Sequence, residues 1–105
     1  MAERRRYQRY ASSWPVRLWL TEHRFLFGRT EDVSLHGMCL VRSNLAAADE
    51  VSLGATYRVD VRPEPHAEVH CIAVVRHRRG EIIGVETSEE LPVERLSRSS
   101  PSAPA

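Results

Sequence analysis

The sequence predicts an all-β domain, a small antiparallel barrel or sandwich built from six strands. The apolar segments are short, most of them alternate apolar and polar residues, and turn-forming residues separate them. The chain has 105 residues, of which 42% are hydrophobic, which is enough for one small core. Six strands at this spacing are typical of small barrels and sandwiches.

Three strands are predicted in the first half of the chain. Residues 14–20 alternate apolar and polar side chains, and Pro15 restricts that segment to an edge or to the beginning of a strand. Residues 24–33 form a second strand, in which Gly28 is expected to mark a bulge or a bend. Residues 37–42 are short and apolar, as a buried third strand would be.

Three more strands are predicted in the second half. Residues 56–62 alternate cleanly between apolar and polar side chains. Residues 68–78 and 81–87 are two further strands, joined near Arg79 and Gly80 by a tight turn. Together these segments form the second half of an antiparallel sheet.

The sequence predicts little helix. Residues 43–50 are expected to be a loop or a single helical turn, whereas residues 88–96 predict a short C-terminal helix with Pro92 in its first turn. From residue 97 onward the chain is polar and rich in proline. We therefore expect residues 97–105 to be disordered.

The positive charge of the chain is concentrated near its N-terminus. All fifteen basic residues are arginine. Residues 1–29 contain seven arginines and two acidic residues, a net charge of +5, and the rest of the chain carries −4 to give the overall +1. A planar guanidinium group suits phosphates and base edges better than an ammonium group does. The N-terminal part is therefore expected to attract anions.

The segment DVSLHG, residues 32–37, lies between the second and third predicted strands. Side chains at i and i+2 of an extended chain share a face, which places Asp32 beside Ser34. Gly37 either adopts a positive φ or leaves the backbone open to a flat ligand. The carboxylate and hydroxyl can hydrogen-bond the edge of a guanine. The same residues also stabilise turns through their own backbone, and both interpretations stay open.

The segment RRRYQRY, residues 4–10, also has two interpretations. Charge runs near a terminus are commonly solvated tails. However, Tyr7 and Tyr10 are interleaved with the arginines, and such aromatic side chains can stack on bases. A merely solubilising tail would not require them.

Taken together, the two segments resemble the PilZ domain family. That family carries an N-terminal Arg-x-x-x-Arg motif, which Arg5 and Arg9 match in this sequence. About two strands later it carries Asp-x-Ser-x-x-Gly, which Asp32, Ser34 and Gly37 match. The order of the motifs, their separation and the six-strand frame make the combination specific, although each motif alone is short.

The resemblance extends over most of the chain. IIGVET, residues 82–87, looks like the last strand of the family, and residues 88–96 look like its closing helix. One departure is Thr87, which stands where an aromatic residue is common. The resemblance implies a six-stranded antiparallel β-barrel with a short C-terminal helix. It divides the chain into a basic arm at residues 1–13, a barrel with its closing helix at residues 14–96 and a tail at residues 97–105.

PilZ domains act as bacterial receptors for the second messenger cyclic di-GMP. The resemblance therefore implies that this chain binds cyclic di-GMP, needs no separate cofactor and is not an enzyme. Cyclic di-GMP is a dianion with two guanines, so it offers phosphate oxygens and O6/N7 edges to arginine. By position, the implied ligand-binding residues are Arg5, Arg9, Asp32, Ser34 and Gly37, with Arg4 and Arg6 as further candidates.

Signalling through such a domain needs a partner. Residues 1–10 precede the first predicted strand and have little core of their own. We therefore expect the arm to be mobile without ligand and to fold across the barrel when ligand binds. A downstream effector protein would read that rearrangement. The pathway, whether motility, exopolysaccharide production, pilus assembly or virulence, is not encoded in the sequence.

Two alternative functions remain. A PilZ-like domain without nucleotide binding could act as an adaptor between proteins, although all five motif positions are filled here. A small arginine-rich barrel could instead bind single-stranded nucleic acid through its arm and tyrosines. The net charge of −4 over residues 30–105 gives no continuous basic track, so no nucleic-acid partner is expected.

Other residue patterns predict neither catalysis nor metal binding. His66 and His70 would lie about 13 Å apart on a strand, too far to share one metal with Cys71. The sequence has no nucleophile elbow or Walker loop, and Ser34 has no evident base. Cys39 and Cys71 lie in apolar contexts and are expected to be core thiols.

No apolar run approaches the roughly 20 residues that span a bilayer, and no secretory signal is evident. We therefore expect a cytoplasmic protein without membrane insertion.

Overall fold

The computed structural model describes residues 8–43 and 51–94. These residues form seven β-strands, and every pairing between them is antiparallel. The strands are β1 (Tyr10–Ala11), β2 (Pro15–Trp19), β3 (Phe25–Ser34), β4 (Gly37–Arg42), β5 (Thr56–Glu64), β6 (Ala67–Arg79) and β7 (Ile82–Thr87).

The sheet closes into a barrel. Its strands follow the order β1-β3-β2-β5-β6-β7-β4, and an additional pairing between β3 and β4 completes the circle. Strands β2 to β7 therefore form a closed six-stranded antiparallel barrel, and β1 is an extra strand. Because β3 is ten residues long, it pairs along one edge first with β2 and then with β1.

Alternate residues of each strand fill the barrel interior, as the period of two requires. In β2, for example, Val16 and Leu18 are buried whereas Pro15, Arg17 and Trp19 are only partly covered. The interior consists mainly of aliphatic side chains. Its largest fully buried members are Leu18, Met38, Ile83 and Leu91.

An irregularity in β3 determines which polar residues face outward. The register between β3 and β4 shifts between Thr30 and Asp32, so Glu31 is an inserted residue. Thr30 is buried before the irregularity and Val33 is buried after it, which means that the alternation changes phase. Bulges re-aim side chains in this way. Asp32 and Ser34 consequently project to the same side of the barrel wall, where Asp32 is partly exposed and Ser34 is buried.

Gly28 is not the site of that bulge, contrary to the sequence-based expectation. It lies in regular register opposite Val16 on one side and Arg42 on the other. A Cβ atom at Gly28 would lie 2.5 Å from the carbonyl oxygen of Val41. Glycine is needed here because β3 and β4 approach each other closely, and not because the chain bends.

The predicted C-terminal helix at residues 88–96 is not confirmed. Ser88 and Leu91 donate their backbone N–H groups to carbonyl groups of the barrel, and Leu91 buries its side chain in the core. Pro92 has no N–H and disfavours helical backbone in the residue before it. Helical backbone is assigned only at Glu94, where the described part ends, so the last two residues of the predicted helix lie outside it.

All six strands predicted from the sequence are present, with every end within two residues of its predicted position. The tight turn before β7 contains Gly80 at a φ of 58°. The sequence analysis missed β1, which lies inside the predicted arm. The predicted turn or loop at residues 43–50 falls almost entirely outside the described residues, as do residues 97–105 and 1–7. Within residues 8–43 and 51–94, no helix has the length and hydrophobicity needed to cross a bilayer.

Candidate functional site

Two rows of outward-facing positions cross the barrel wall where β1, β3, β4, β7 and β6 lie side by side. Residues paired across neighbouring strands project to the same face, so each row forms a continuous strip of surface. The first strip, the Asp32 row, contains Ala11, Asp32, Cys39, Gly84 and His77. The second, the Ser34 row, contains Ser34, Gly37, Glu86 and Val74.

Arg9 joins β1 to the Asp32 row. Its Nε donates to Oδ1 of Asp32 at 2.7 Å, and its Nη2 lies 2.5 Å from the same oxygen. Both nitrogens therefore contact one carboxylate oxygen. The Asp32 side chain remains 36% exposed and that of Arg9 25% exposed, so the pair is accessible from solvent.

Gly37 and Ser34 form the floor of the site beside this pair, and both residues are buried. A Cβ atom at Gly37 would lie 3.2 Å from the carbonyl oxygen of Val85, 3.4 Å from Oγ of Ser34 and 3.9 Å from Nη1 of Arg9. Any larger side chain would therefore compete for space with the hydroxyl and the guanidinium. The floor is bordered by the cation of Arg9 and the carboxylate of Asp32 that pairs with it.

Gly37 does not adopt the positive φ of a turn glycine. Within residues 8–43 and 51–94, the glycines with positive φ are Gly54 and Gly80. Within residues 8–43 and 51–94, Asp32 bonds to Arg9. The geometry of Gly37 shows close approach of other groups to its backbone, and contact of DVSLHG with a ligand stays a prediction.

The hairpin that carries Ser34 and Gly37 is fixed at its tip. Thr87 donates its backbone N–H to the carbonyl oxygen of His36 at 2.8 Å, and Nδ1 of His36 lies 3.1 Å from the carbonyl oxygen of Thr87. Leu91 donates its backbone N–H to the carbonyl of Leu35 at 2.7 Å. These bonds hold the hairpin against β7 and the segment after it, which makes the floor of the site rigid.

The structure thus brings four of the sequence-predicted site residues together: Arg9, Asp32, Ser34 and Gly37. Arg5, Arg4 and Arg6 lie outside the described residues. The chain enters the described part at Gln8, directly before Arg9. Ligand binding by any of these residues remains a prediction.

The two cysteines differ, and only one is a core thiol as predicted. Cys71 is 2% exposed, and burial is the main reason that its pKa is raised to about 11. Cys39 instead faces outward beside Asp32, with its Sγ 3.9 Å from Oε1 of Glu31. Partial burial and the charges of Asp32 and Glu31 raise the pKa of the Cys39 thiol. The prediction was wrong for Cys39 because an apolar sequence context does not reveal which face a strand residue takes.

A second polar cluster, which the sequence analysis did not find, covers the outer face of β2. The Trp19 ring lies edge-on to Phe25 at a centroid distance of 4.9 Å. The guanidinium of Arg58 lies 4.8 Å from the centroid of Trp19, and that of Arg17 lies within 6 Å of both rings. A shallow groove of about 330 Å³ runs beside them. The residues of this cluster come together through the pairing of β2 with β3 and β5, so no local sequence motif predicts it.

Asp60 lies under that cluster. Its Oδ2 accepts a hydrogen bond from Nε1 of Trp19 at 2.7 Å, and its Oδ1 lies 2.7 Å from Nδ1 of His70. Burial raises the pKa of Asp60, but the hydrogen bonds to His70 and Trp19 and the nearby cations outweigh it, and the net pKa is lowered. His70 therefore pairs with Asp60. Within residues 8–43 and 51–94, no group of three His, Cys, Asp or Glu side chains is placed to hold a metal ion.

The fold is shared with solved structures from Escherichia coli and Bacillus subtilis. The chain is similar to the PilZ domain with c-di-GMP of YcgR from Escherichia coli, with a TM-score of 0.66 and 20% identity over 92% of this chain and 88% of that one. It is similar to the inhibitor of motility MotI/DgrA of Bacillus subtilis, with a TM-score of 0.63 and 22% identity over 91% and 47%.

A further structure, YcgR in complex with c-di-GMP from Escherichia coli, matches with a TM-score of 0.60 and 22% identity over 93% of this chain and 45% of that one. The chain thus spans just under half the length of MotI and of this YcgR chain. Identities this low support the shared fold. A search of curated proteins finds no match.

The profile described as the PilZ domain matches residues 3–99, a stretch that contains both sequence motifs and all seven strands. Since the profile covers nearly the whole sequence and the barrel is that of solved PilZ proteins, the chain belongs to the PilZ domain family.

Proposed function

We propose that this chain is a receptor for cyclic di-GMP that binds the nucleotide on the outer face of the barrel around Gly37. The observation that carries the proposal is the convergence of Arg9, which directly precedes β1, with Asp32 and Ser34 of β3 on the backbone at Gly37. Both YcgR structures that share the fold are complexes with c-di-GMP. Their fold relation to this chain supports the same ligand class.

Each of these residues suits one part of the ligand. The Asp32 carboxylate accepts hydrogen bonds from N1 and N2 of a guanine, and the Ser34 hydroxyl can complete the contact. Arg9, with Arg5 from the preceding residues, donates to phosphate oxygens or to the O6/N7 edge of guanine. The absence of a side chain at Gly37 lets the flat base lie against the floor.

Binding requires that the ligand replace an existing interaction. Asp32 is engaged by Arg9, so a guanine that bonds to this carboxylate displaces the guanidinium, which becomes available to the dianion. The guanidinium of Arg9 gains a phosphate as its new ionic partner, and the carboxylate of Asp32 accepts hydrogen bonds from N1 and N2 of the neutral guanine. Neither charge is therefore left without a partner. Movement of Arg9 also moves the arm, since β1 pairs with β3 through only two residues. We infer that this rearrangement transmits the signal to a partner protein.

The energetic demand is modest. A micromolar dissociation constant corresponds to roughly 8 kcal/mol. Each hydrogen bond to a charged group contributes about 1.5 to 3 kcal/mol in favourable settings. The two motif arginines, the aspartate and the base stacked on the floor therefore suffice, even after the cost of ordering residues of the arm.

Calorimetric titration of the full chain with cyclic di-GMP tests the proposal. Arg9→Ala removes the cation nearest to Gly37 and should weaken binding by at least about tenfold, equivalent to roughly 1.4 kcal/mol. Ser34→Ala removes one neutral hydrogen bond and should weaken binding by about three- to tenfold. Arg79→Ala, at the distant end of the β6–β7 hairpin, is the matched control and should bind as the unmodified chain does.

Thermal unfolding of each variant separates binding from folding. Arg9 and Ser34 contribute no side chain to the hydrophobic core, so both variants should unfold cooperatively within a few degrees of the unmodified chain. If the unmodified chain shows no binding up to about 1 mM ligand, a free energy of about −4 kcal/mol, the proposed function is wrong. The adaptor role between proteins and the binding of single-stranded nucleic acid would then be the remaining candidates.

A further inference from the structure

Arg76 and Glu86 form an ion pair on the opposite side of Gly37 from Arg9. Glu86 on β7 is paired with Gly37 on β4, so the Glu86 side chain projects from the same face of the barrel. The two neighbouring strands are about 4.8 Å apart. The Nε of Arg76 donates to Oε1 of Glu86 at 2.8 Å. The two side chains are 60% and 57% exposed. The pair therefore lies on the surface beside Gly37 and is not buried.

A second bulge places Arg76 there. The register between β6 and β7 shifts between Val75 and His77, which makes Arg76 the inserted residue. As a result, His77 and not Arg76 lies opposite Gly84, and its imidazole occupies the space that a side chain at Gly84 would need. Both consecutive residues thus lie on the outer face, since a bulge re-aims the side chain that it inserts.

The terminal nitrogens of Arg76 remain available for a ligand. Its Nε is engaged by Glu86, and among residues 8–43 and 51–94 its Nη1 and Nη2 make no hydrogen bond. The guanidinium is planar and rigid, so a bond at Nε orients the other two donors together. Two parallel donors suit the two oxygens of a phosphate.

The charge of the ligand favours such a group. Arg9 approaches Gly37 from the β1 side, where it contacts Asp32. A cyclic dinucleotide carries its two phosphates on opposite sides of one ring, so cations on one side leave the second phosphate without a partner. Arg76 supplies a cation on the β6 and β7 side of the same floor.

We propose that Arg76 is an additional ligand-binding residue, which contacts the phosphate of cyclic di-GMP that faces β6 and β7, and that Glu86 positions its guanidinium. This inference rests on the proposed function, because it assumes that cyclic di-GMP occupies the floor at Gly37. It extends the site beyond both sequence motifs, onto two strands that carry neither of them.

Substitution at position 76 tests the inference. Arg76→Gln should weaken binding of cyclic di-GMP by about tenfold, the effect of losing a charge-assisted contact, whereas Arg79→Gln, on the same strand with the same change in net charge, should stay within about twofold. Arg76→Lys keeps the charge without the planar fork, and its affinity should fall between those of the two variants.

The salt dependence of binding is a second test. Binding by the unmodified chain should weaken between about 50 and 500 mM NaCl. The affinity of Arg76→Gln should decline less steeply over the same range, because one ionic contact with the dianion is missing.

A double-mutant cycle tests the role of Glu86. Glu86→Gln should change the affinity for cyclic di-GMP by one factor in the unmodified chain and by another factor in Arg76→Gln. The two factors should differ at least about threefold, because the bond that positions Arg76 exists only in the unmodified background. Equal factors would show that Glu86 does not position Arg76.

Two outcomes separate this inference from the proposed function. If Arg9→Ala and Ser34→Ala weaken binding while Arg76→Gln behaves as Arg79→Gln does, the site is real and Arg76 is not part of it. If the unmodified chain does not bind cyclic di-GMP, the proposed function fails, and the inference fails with it.

Discussion

At the scale of single residues, two outward-facing aspartates show the difference between a structural and a functional carboxylate. Asp60 is 6% exposed at its side chain and is bonded to Trp19 and His70. Asp32 is 36% exposed and pairs with one partly exposed side chain, Arg9. The Asp60 carboxylate is buried and bonded to Trp19, whose ring contacts Phe25, so exchange of its partners is costly. Asp32 can exchange its partner for a ligand.

The environment of Asp60 predicts a dependence of stability on pH. Its pKa is lowered in the folded state, so its charged form favours folding above the ordinary value of 3.8, and that contribution is lost as pH falls through the folded pKa. Asp60→Asn should therefore reduce the free energy of unfolding at pH 5 by about 1 to 3 kcal/mol, and the deficit should shrink at pH 3. Denaturant titrations at both pH values measure the two differences.

Asp32→Asn is the matched control for that experiment. Its carboxylate is more exposed and has one ion-pair partner, so its removal should change stability at pH 5 by less than the removal of Asp60 does. The same variant should bind cyclic di-GMP more weakly. A deficit for Asp60→Asn that grows toward pH 3 would contradict the assigned direction of the pKa.

At the scale of elements, β1 is the part of the described barrel with the weakest attachment. Two residues pair it with β3. Between β1 and β2, Ser12 donates its backbone N–H to Glu31 and its hydroxyl bonds to that of Thr30. Trp14 and Thr30 form two bonds, from the Trp14 N–H to the Thr30 hydroxyl and from the Thr30 N–H to the Trp14 carbonyl oxygen. Trp14 itself is buried, whereas Arg9 is held by the partly exposed carboxylate of Asp32. An element of this kind can respond to ligand without disturbing the core.

We expect ligand binding to slow amide exchange in β1. Cyclic di-GMP would link Arg9 and Arg5 to the floor formed by β3 and β4, so local opening of Tyr10 and Ala11 would require loss of the ligand contacts. Hydrogen exchange measured with and without cyclic di-GMP should show added protection in these two residues and little change at the β5–β6 pairing. Arg9→Ala should lose most of the added protection. Unchanged amide exchange in β1 would show that the arm does not respond to ligand binding.

The strands were predictable because their signal is local, whereas the site was predictable only in part. Alternation identified β2 to β7, but β1 is two residues long and exists only through its pairing with β3. The motifs identified Asp32, Ser34 and Gly37, which lie on one hairpin. Arg76 and Glu86 join them through two strand pairings and a bulge, and no local pattern encodes such a register. The outward position of Cys39 and the contacts of Asp60 with Trp19 and His70 also depend on strand register, so the sequence did not predict them.

At the scale of the whole molecule, the distribution of charge favours a small anion over a polyanion. Residues 1–29 carry +5 and the remainder of the chain carries −4. On the outer face of β2, the exposed aromatic and arginine side chains resemble a surface for bases, but Asp60 and Glu68 line the same groove. Glu68 already engages Arg17, with Nη2 of the arginine 2.8 Å from its carboxylate. A nucleic-acid backbone crossing this face would therefore meet carboxylates.

This charge pattern predicts that the chain distinguishes cyclic di-GMP from nucleic acid. In parallel titrations at about 150 mM NaCl, cyclic di-GMP should bind and a mixed-sequence single-stranded oligonucleotide should bind at least about tenfold more weakly. Any oligonucleotide binding at low salt should decline steeply as salt rises, because each neutralised phosphate releases counterions, whereas a compact dianion with a few short contacts loses less affinity. Arg9→Ala should affect the dinucleotide far more than the oligonucleotide, since a polyanion can use any nearby arginine. Comparable affinities for the two ligands at 150 mM, with comparable losses in Arg9→Ala, would favour the nucleic-acid alternative over a receptor for one second messenger.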